Sequence, residues 1–350
     1  MNPTTRTSRE APPTVRIGIL GAGNVVKMYH LPVLATMPDV TIKWICDVDR
    51  DRANLLRAGL APGARVLTSI DQAPDVDIAL MAIPVGFRAP LIEKMFARGW
   101  HVFCEKPFAV SVREHQHFVS KARAAGVKVG VGLMRRFYAS TIACERLVDS
   151  RVLGDVKRAW ATYGNRVNRT DRSDWYQSDA RASGGGVLME SGSHVIDQLF
   201  LILGVTGFDV LSCQQTTFKN LETETTATAS LHTTHQHDVP LSVAISQRRD
   251  LYSGLNILFS KALVRMGNLP SDKVALLDCE ERHIGNLDTD GATDVYQAFF
   301  LEWREFIEHC QSQSETSRVG ADSTLQSVAF IESCYRTASR FPAPLESLHP

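Results

Sequence analysis

The 350-residue chain has no apolar run near the 18 or so residues that a membrane-spanning helix requires; segments such as 199–205 have the length of buried core. It also lacks net charge, because Lys+Arg and Asp+Glu both number 38. A protein that coats nucleic acid needs a basic excess to neutralise phosphates, and a polybasic membrane-surface binder needs one too. Nucleic acid and membrane are therefore excluded as main partners. No C-x-x-C pair occurs among the seven cysteines, which lie scattered at 46, 104, 144, 213, 279, 310 and 334. An odd, dispersed set is not a disulfide framework; it predicts reduced, mostly buried thiols and a cytoplasmic location. Residues 1–14 are polar, rich in Thr and Pro, and lack an apolar core segment, which predicts a flexible tail and not a secretory signal. What is present is a globular composition, 44% hydrophobic and 22% charged, with length for two domains.

Residues 15–137 alternate short apolar runs with amphipathic segments. Strands are expected at 15–20, 41–46, 66–68, 76–83, 101–104 and 127–131, with helices between them. Ser111 and Glu114 have capping-box spacing at the start of one of these helices. This β-α-β order predicts a doubly wound parallel sheet. From residue 138 the pattern changes. A helix at 137–150 is followed by longer Thr- and Val-rich strands at 156–163, 209–216, 225–234, 239–248, 256–265 and 273–279. They predict a large, open, mostly antiparallel sheet. One strongly apolar helix is expected at 187–203, and two more at 294–311 and 323–339.

The run Gly21-Ala22-Gly23-Asn24-Val25-Val26 follows a strand and opens a helix, the context that a dinucleotide-binding glycine loop requires. Gly21 permits the tight turn, and Gly23 lets the backbone approach a pyrophosphate at the helix N-terminus. Val26 stands where a third glycine usually packs helix on strand. Asp47 ends the next strand, where an acid meets the adenine ribose hydroxyls. Its carboxylate repels a 2′-phosphate, which favours NAD; Arg50 and Arg52 nearby keep NADP as the alternative.

Cys104-Glu105-Lys106-Pro107 forms a second signal, and a glycine run, Gly184 to Gly186, leads to Glu190, Gly192, His194 and Asp197 on one helix. With the glycine loop, these motifs resemble the Gfo/Idh/MocA family of oxidoreductases over residues 14–340. The resemblance implies an N-terminal Rossmann domain (15–137) and a C-terminal α/β domain (138–350) for substrate binding and oligomerisation, with the last helix packing back on the first domain. It implies hydride transfer between NAD(P) and a sugar, cyclitol or related polyol. It also implies catalytic roles for Lys106 and His194, and a place for Glu105 at the nicotinamide end. The chain departs from the family at two places. Glu190 replaces the usual Asp, and Ile83-Pro84-Val85-Gly86-Phe87-Arg88 replaces a Thr-Pro-Asn-x-x-His segment beside the nicotinamide.

The chemistry suits these side chains. An imidazole serves as base or acid for a hydroxyl proton, and an ammonium stabilises a developing alkoxide. Helical spacing places Glu190, His194 and Asp197 in one narrow sector of an otherwise apolar helix. The expected catalytic set is Lys106, His194 and Glu190. The expected cofactor contacts are Gly21, Gly23, Asn24, Val25, Val26, Asp47, Ile83, Pro84, Glu105 and Lys106. For substrate, the aromatic- and arginine-rich segment after 163 offers Arg166, Trp175 and Tyr176, joined by Arg136 and Asp197. His232, His235 and His237 lack a recognisable metal-ligand spacing, so no metal is expected. A sugar or cyclitol dehydrogenase/ketoreductase is the first reading. An NAD-recycling glycosidase acting through a transient 3-keto sugar, and a non-catalytic NAD-bound regulator, are the alternatives. The half-apolar C-terminal sheet has too few helices to cover both faces, which predicts a homodimer or homotetramer.

Overall fold

The computed structural model describes residues 14–166, 179–218, 221–287 and 290–342. Six parallel strands form the first sheet: β1 (Val15–Leu20), β2 (Val40–Cys46), β3 (Arg65–Leu67), β4 (Ile78–Met81), β5 (His101–Glu105) and β6 (Val129–Gly132). Their order, β3-β2-β1-β4-β5-β6, reverses between β1 and β4, so the crevice at the carboxyl ends of these two strands is the topological switch point. The central strands are apolar and buried along most of their length because both faces are covered. Ile17, Ile19, Ile78 and Leu80 join one core, and Leu20, Ala79 and Met81 join the other.

The helices of this half are α1 (Leu31–Ala35), α2 (Arg50–Leu60), α3 (Ala89–Ala97) and α4 (Val112–Ala124). Ser111 caps α4 as its spacing predicts, its Oγ accepting from the Glu114 N–H at 3.2 Å. Glu114 reaches back one residue further than a capping box requires, to the Val110 N–H at 2.8 Å.

After α5 (Ala139–Ser150) come β7 (Val156–Gly164), α6 (Ala180–Ser183) and α7 (Ser193–Leu203), then β8 (Val205–Phe218), β9 (Leu221–Thr233), β10 (Val239–Ser246), β11 (Leu251–Phe259), β12 (Leu263–Gly267), β13 (Val274–Leu277) and β14 (His283–Leu287). The helices α8 (Val295–Gln311) and α9 (Leu325–Thr337) and the strand β15 (Ser339–Pro342) complete the described chain. The second sheet has nine strands in the order β14-β13-β12-β11-β7-β10-β9-β8-β15. It is mixed: β7 runs parallel to β10 and β15 parallel to β8, and the other pairs are antiparallel. The strand expected at 256–265 is in fact a hairpin, because polar Ser260 and Lys261 interrupt it and the Phe259 N–H bonds Ala262 O at 2.8 Å. The edge strands β14 and β15 were not expected; their residues are mostly exposed and carry little alternation.

Along β9 and β10 alternate residues turn inward. Ala227, Ala229, Leu231, Leu241, Val243 and Ile245 pack with Val195, Ile196 and Leu199 of α7 and with Phe330 and Ile331 of α9. The other face of the sheet carries Thr226, Thr228, Ser242 and Ala244, with Arg158 and Trp160 beside them, around an open hollow of about 360 Å³. Although it comes late in the chain, α8 belongs to the first sheet's core: Phe299, Trp303, Phe306 and Ile307 pack on Ile17, Ile19 and Phe103.

Candidate active site

The glycine loop lies at the switch point. Gly21 has φ +100°, and a Cβ there would meet the Ala82 carbonyl oxygen at 2.3 Å, so glycine is required both for the turn and for the close approach of β4. A Cβ on Gly23 would meet nothing within 4 Å; the space above it is open. Asp47 ties the loop together. Its Oδ2 accepts from the Ala22 N–H at 2.6 Å and its Oδ1 from the Asp49 N–H at 2.8 Å. Asn24 is exposed, Val25 half-buried and Val26 fully buried. The valine in place of a third glycine coincides with a wide π turn over Val26–His30 before α1 begins. Ile83 lies against Gly21, its Cγ2 3.1 Å from the position of a Cβ there, and Pro84 follows it. Strand, open glycine turn and tethered acid together fit a dinucleotide.

Arg88, which stands where the family segment ends in histidine, is buried and structural. Its Nε donates to Ile83 O at 2.8 Å, and its Nη1 donates to the carbonyls of Glu105 and Pro107, locking the segment after β4 to the end of β5. Glu105 is buried as well. Its Oε2 accepts from the Lys106 N–H at 3.0 Å, and its Oε1 lies 2.8 Å from His30 Nε2. The Trp303 indole, which can only donate, bonds His30 Nδ1 at 2.9 Å. That fixes the His30 proton on Nε2, where it is donated to Glu105. Burial pushes the Glu105 carboxyl up, but its hydrogen bond to His30 and the charges around it hold it below the usual range, so it stays ionised.

The Lys106–Pro107 bond is cis. Lys106 Nζ donates to the backbone oxygen of Glu190 at 2.9 Å and lies 4.0 Å from Glu190 Oε1. That carbonyl sits in a second π turn, Leu188–Gly192, which opens α7, and it also accepts from Ser193 Oγ at 2.9 Å. The Glu190 carboxylate is held by Ser191 Oγ at 2.9 Å and Gln247 Nε2 at 3.4 Å. His194 Nδ1 is buried without a hydrogen-bond partner. Burial pushes the His194 ring well below its usual range, and the nearby charges of Lys106 and Arg135 push it further, so the imidazole is neutral at pH 7.

The start of this helix is clamped from outside. Glu222 on β9 accepts from the Leu188 N–H at 3.1 Å and from Tyr335 OH at 3.0 Å, and Tyr335 accepts from the N–H groups of Gly186 at 2.9 Å and Met189 at 3.3 Å. A Cβ on Gly186 would meet Glu222 O at 1.8 Å and one on Gly185 would meet Tyr335 OH at 2.5 Å, which explains the glycine run.

The structure thus brings Lys106, Glu190 and His194 together beside Glu105 and the glycine loop. Asp197, in the regular part of α7, has its carboxylate turned to another partner. Asp197 is buried against Arg136, with Nε to Oδ2 at 2.8 Å and Nη2 to Oδ1 at 2.5 Å. Arg136 spends its other donors on Arg318 O, Ser323 Oγ and Ser323 O, so all five guanidinium N–H groups are committed within the chain. This corrects the expectation that Arg136 meets substrate; Asp197, paired with it, also lines a small cavity beside Lys106 and Ser193. Arg135, its neighbour, is half-buried and makes one side-chain hydrogen bond among the described residues, Nη1 to Asn268 Oδ1 at 3.3 Å. Arg166 is exposed after β7, its N–H on Asp250 Oδ1 at 2.9 Å, and Trp175 and Tyr176 lie outside the described residues. Sequence reasoning missed Glu222 and the structural role of Arg88. A carboxylate inside a Thr-rich strand was the only visible sign of the first.

Two family models match the chain. One, described as the oxidoreductase family, NAD-binding Rossmann fold, covers residues 15–133, and the GFO/IDH/MocA C-terminal domain covers residues 141–264. The chain belongs to the GFO/IDH/MocA oxidoreductase family. An inositol 2-dehydrogenase of Rhizobium meliloti is 28% identical over 55% of this chain and 56% of its own length. An inositol 2-dehydrogenase of Ralstonia nicotianae is 24% identical over 92% of this chain and 94% of its own. The chain spans about half the length of the first curated relatives it matches, including an uncharacterized oxidoreductase of Schizosaccharomyces pombe at 53%. Among solved structures, the 3-ketoreductase KijD10 of Actinomadura kijaniata, in complex with NADP and TDP-benzene, superposes with a TM-score of 0.82 at 17% identity, over 95% of this chain and all of that one. This likeness establishes the shared GFO/IDH/MocA fold. No helix among the described residues is long and apolar enough to cross a membrane.

Proposed function

We propose that this protein is an NAD-dependent dehydrogenase or ketoreductase acting on a secondary alcohol or ketone of a sugar, cyclitol or sugar derivative. The observation that carries this reading is the meeting of Lys106, Glu190 and a neutral His194 at the carboxyl ends of strands whose glycine loop fits a dinucleotide. The relatives named as inositol dehydrogenases support the substrate class.

When bound, the nicotinamide accepts or returns the hydride. The chain's own residues handle the proton and the oxygen. The Lys106 ammonium has three N–H groups and spends one on Glu190 O, which leaves donors for the reacting oxygen. His194, held neutral, takes the hydroxyl proton during oxidation and returns it during reduction. Glu190 keeps the ammonium in place through its backbone oxygen and offers a carboxylate 4.0 Å away. Asp47, tied to the glycine loop by the Ala22 N–H and held from its own side by the Asp49 N–H, faces the adenine ribose and favours NAD over NADP. The open face of the nine-stranded sheet is the surface through which the chain forms a dimer or tetramer.

The test is NADH absorbance with the full chain, NAD and a panel of hexoses, inositols and their acids and phosphates. Stoichiometric NADH with at least one of them is expected. Sugar cleavage without net NADH would instead support the recycling glycosidase.

A further inference from the structure

The charges around Lys106 and His194 do not balance. Lys106 has Glu190 within ion-pair distance, but Arg135 has no carboxylate partner among the described residues. Its guanidinium makes one hydrogen bond there, Nη1 to Asn268 Oδ1 at 3.3 Å, and its Nε is buried with no partner. Its Cζ lies over the Tyr163 ring, 5.6 Å from the centroid. Asn268 is buried too, and its Nδ2 also lacks a partner. The contrast with Arg136, one residue on and fully committed to Asp197, Arg318 and Ser323, is sharp. Burying part of a guanidinium without a counter-ion is costly, and among the described residues only the Asn268 hydrogen bond and the Tyr163 ring offset it. Gly132, three residues before Arg135, pairs with Glu105, which precedes Lys106, and Thr141, whose Oγ donates to the Arg135 carbonyl at 2.7 Å, accepts from Gln198, one helical turn beyond His194, so Arg135 lies beside that site.

We infer that Arg135, with the Asn268 amide beside it, receives an anionic oxygen group of the substrate, a carboxylate or a phosphate monoester, so that the alcohol oxidised belongs to a sugar acid or a sugar phosphate. The planar fork of a guanidinium matches both groups, and the Tyr163 ring lies on one side of it. The inference rests on the proposed reading of Lys106 and His194 as the groups serving the reacting carbon, and it extends that reading to the far end of the substrate.

Two measurements separate the two claims. In the first, kcat/KM is compared for a hexuronate, a hexose phosphate, a neutral hexose and an inositol, using wild type, Arg135→Met and Arg135→Lys. Wild type is expected to favour an anionic substrate. Arg135→Met should lower kcat/KM for it by roughly tenfold to a hundredfold, mainly through KM, which is the scale of a charge-assisted hydrogen bond. Arg135→Lys, which keeps charge without the fork, should recover part of the loss. The anion with the Arg135-dependent gain, hexuronate or phosphate, identifies the group. In the second, calorimetry follows the same compounds binding to the NAD-loaded Lys106→Ala chain, with and without Arg135→Met.

Anion binding that depends on Arg135, without turnover of any sugar, would uphold the anion site and overturn the dehydrogenase reading. Turnover that favours neutral polyols, with the ratio unmoved by Arg135→Met, would overturn the anion site alone. Absence of both turnover and anion binding would overturn both. Should Arg135→Met fail to fold, Arg135→Lys carries the same comparison.

Discussion

Asp197→Asn separates a structural ion pair from a substrate contact. In the structure Asp197 takes two hydrogen bonds from Arg136 and a third, at 3.4 Å, from Ser327 Oγ, and both charged side chains are almost wholly buried. Asparagine keeps the shape but leaves the guanidinium uncompensated among Arg318 O, Ser323 and apolar neighbours. Removing one partner of a buried pair costs about 3–5 kcal/mol, because the remaining charge cannot be rehydrated. If the chain melts as one unit, an unfolding entropy of about 2.1 cal/mol/K per residue converts that loss to a fall in Tm of about 4–7 °C. The double variant Arg136→Met, Asp197→Leu should recover most of it, since no isolated charge remains. The assay is thermal unfolding followed by circular dichroism, with KM for the best substrate measured on the same preparations. An unchanged Tm with a raised KM for Asp197→Asn would refute the reasoning and return Asp197 to the substrate.

Lys106→Ala and His194→Ala should each lower turnover by roughly a hundredfold or more while NAD affinity, measured by fluorescence titration, changes little; Glu190→Asp should also slow turnover, since it withdraws the carboxylate by about a methylene. Glu302 is fully buried with both carboxyl oxygens unpartnered, and burial, then the nearby charge of Glu105, raises it well above the usual range. Unfolding releases its proton above about pH 4.3, so the folded state loses up to about 1.4 kcal/mol per pH unit from there towards the raised value. Glu302→Gln should therefore raise Tm more at pH 8 than at pH 5, and an equal gain at both would contradict this. Asp47→Ala should narrow a NAD preference of roughly tenfold, and tighter NADP than NAD binding by wild type would remove Asp47 from the ribose. Light scattering at micromolar concentration should give a dimer or tetramer; a monomer would exclude pairing through the open sheet face.

What was legible in the sequence followed from local rules. The glycine loop, the acid after β2 and the Glu105-Lys106-Pro107 strand end are contiguous, so their order gave both the first sheet and half of the site. The second half depended on helix phase. Regular spacing aligned Asp197 with Glu190 and His194, but it showed neither the Arg136 partner of Asp197 nor the π turn at Leu188–Gly192 that opens α7. That turn is held by Glu222 and Tyr335, which are distant in sequence and bind backbone N–H groups, a kind of contact that leaves no periodicity. The same limit applied to the choice between Arg135 and Arg136. Adjacent arginines are equivalent on paper, and only the placement of Asp197 and Asn268 commits one fully to the core and leaves the other with a single hydrogen bond among the described residues. Cysteine usage was plainer: Cys46, Cys104, Cys144, Cys213 and Cys334 are buried free thiols, and burial pushes the Cys144 thiol up to about 12.

The position of α8 bears on how the chain is made. Its aromatic face completes the core of the first sheet, yet some 160 residues separate Gly132 from Val295. At ribosomal speeds of about 5–20 residues per second, the β1–β6 unit waits roughly 8–30 s with Ile17, Ile19 and Phe103 lacking their cover. A fragment ending near residue 135 should consequently be sticky when expressed alone, and supplying α8 as a fused C-terminal segment should restore its solubility.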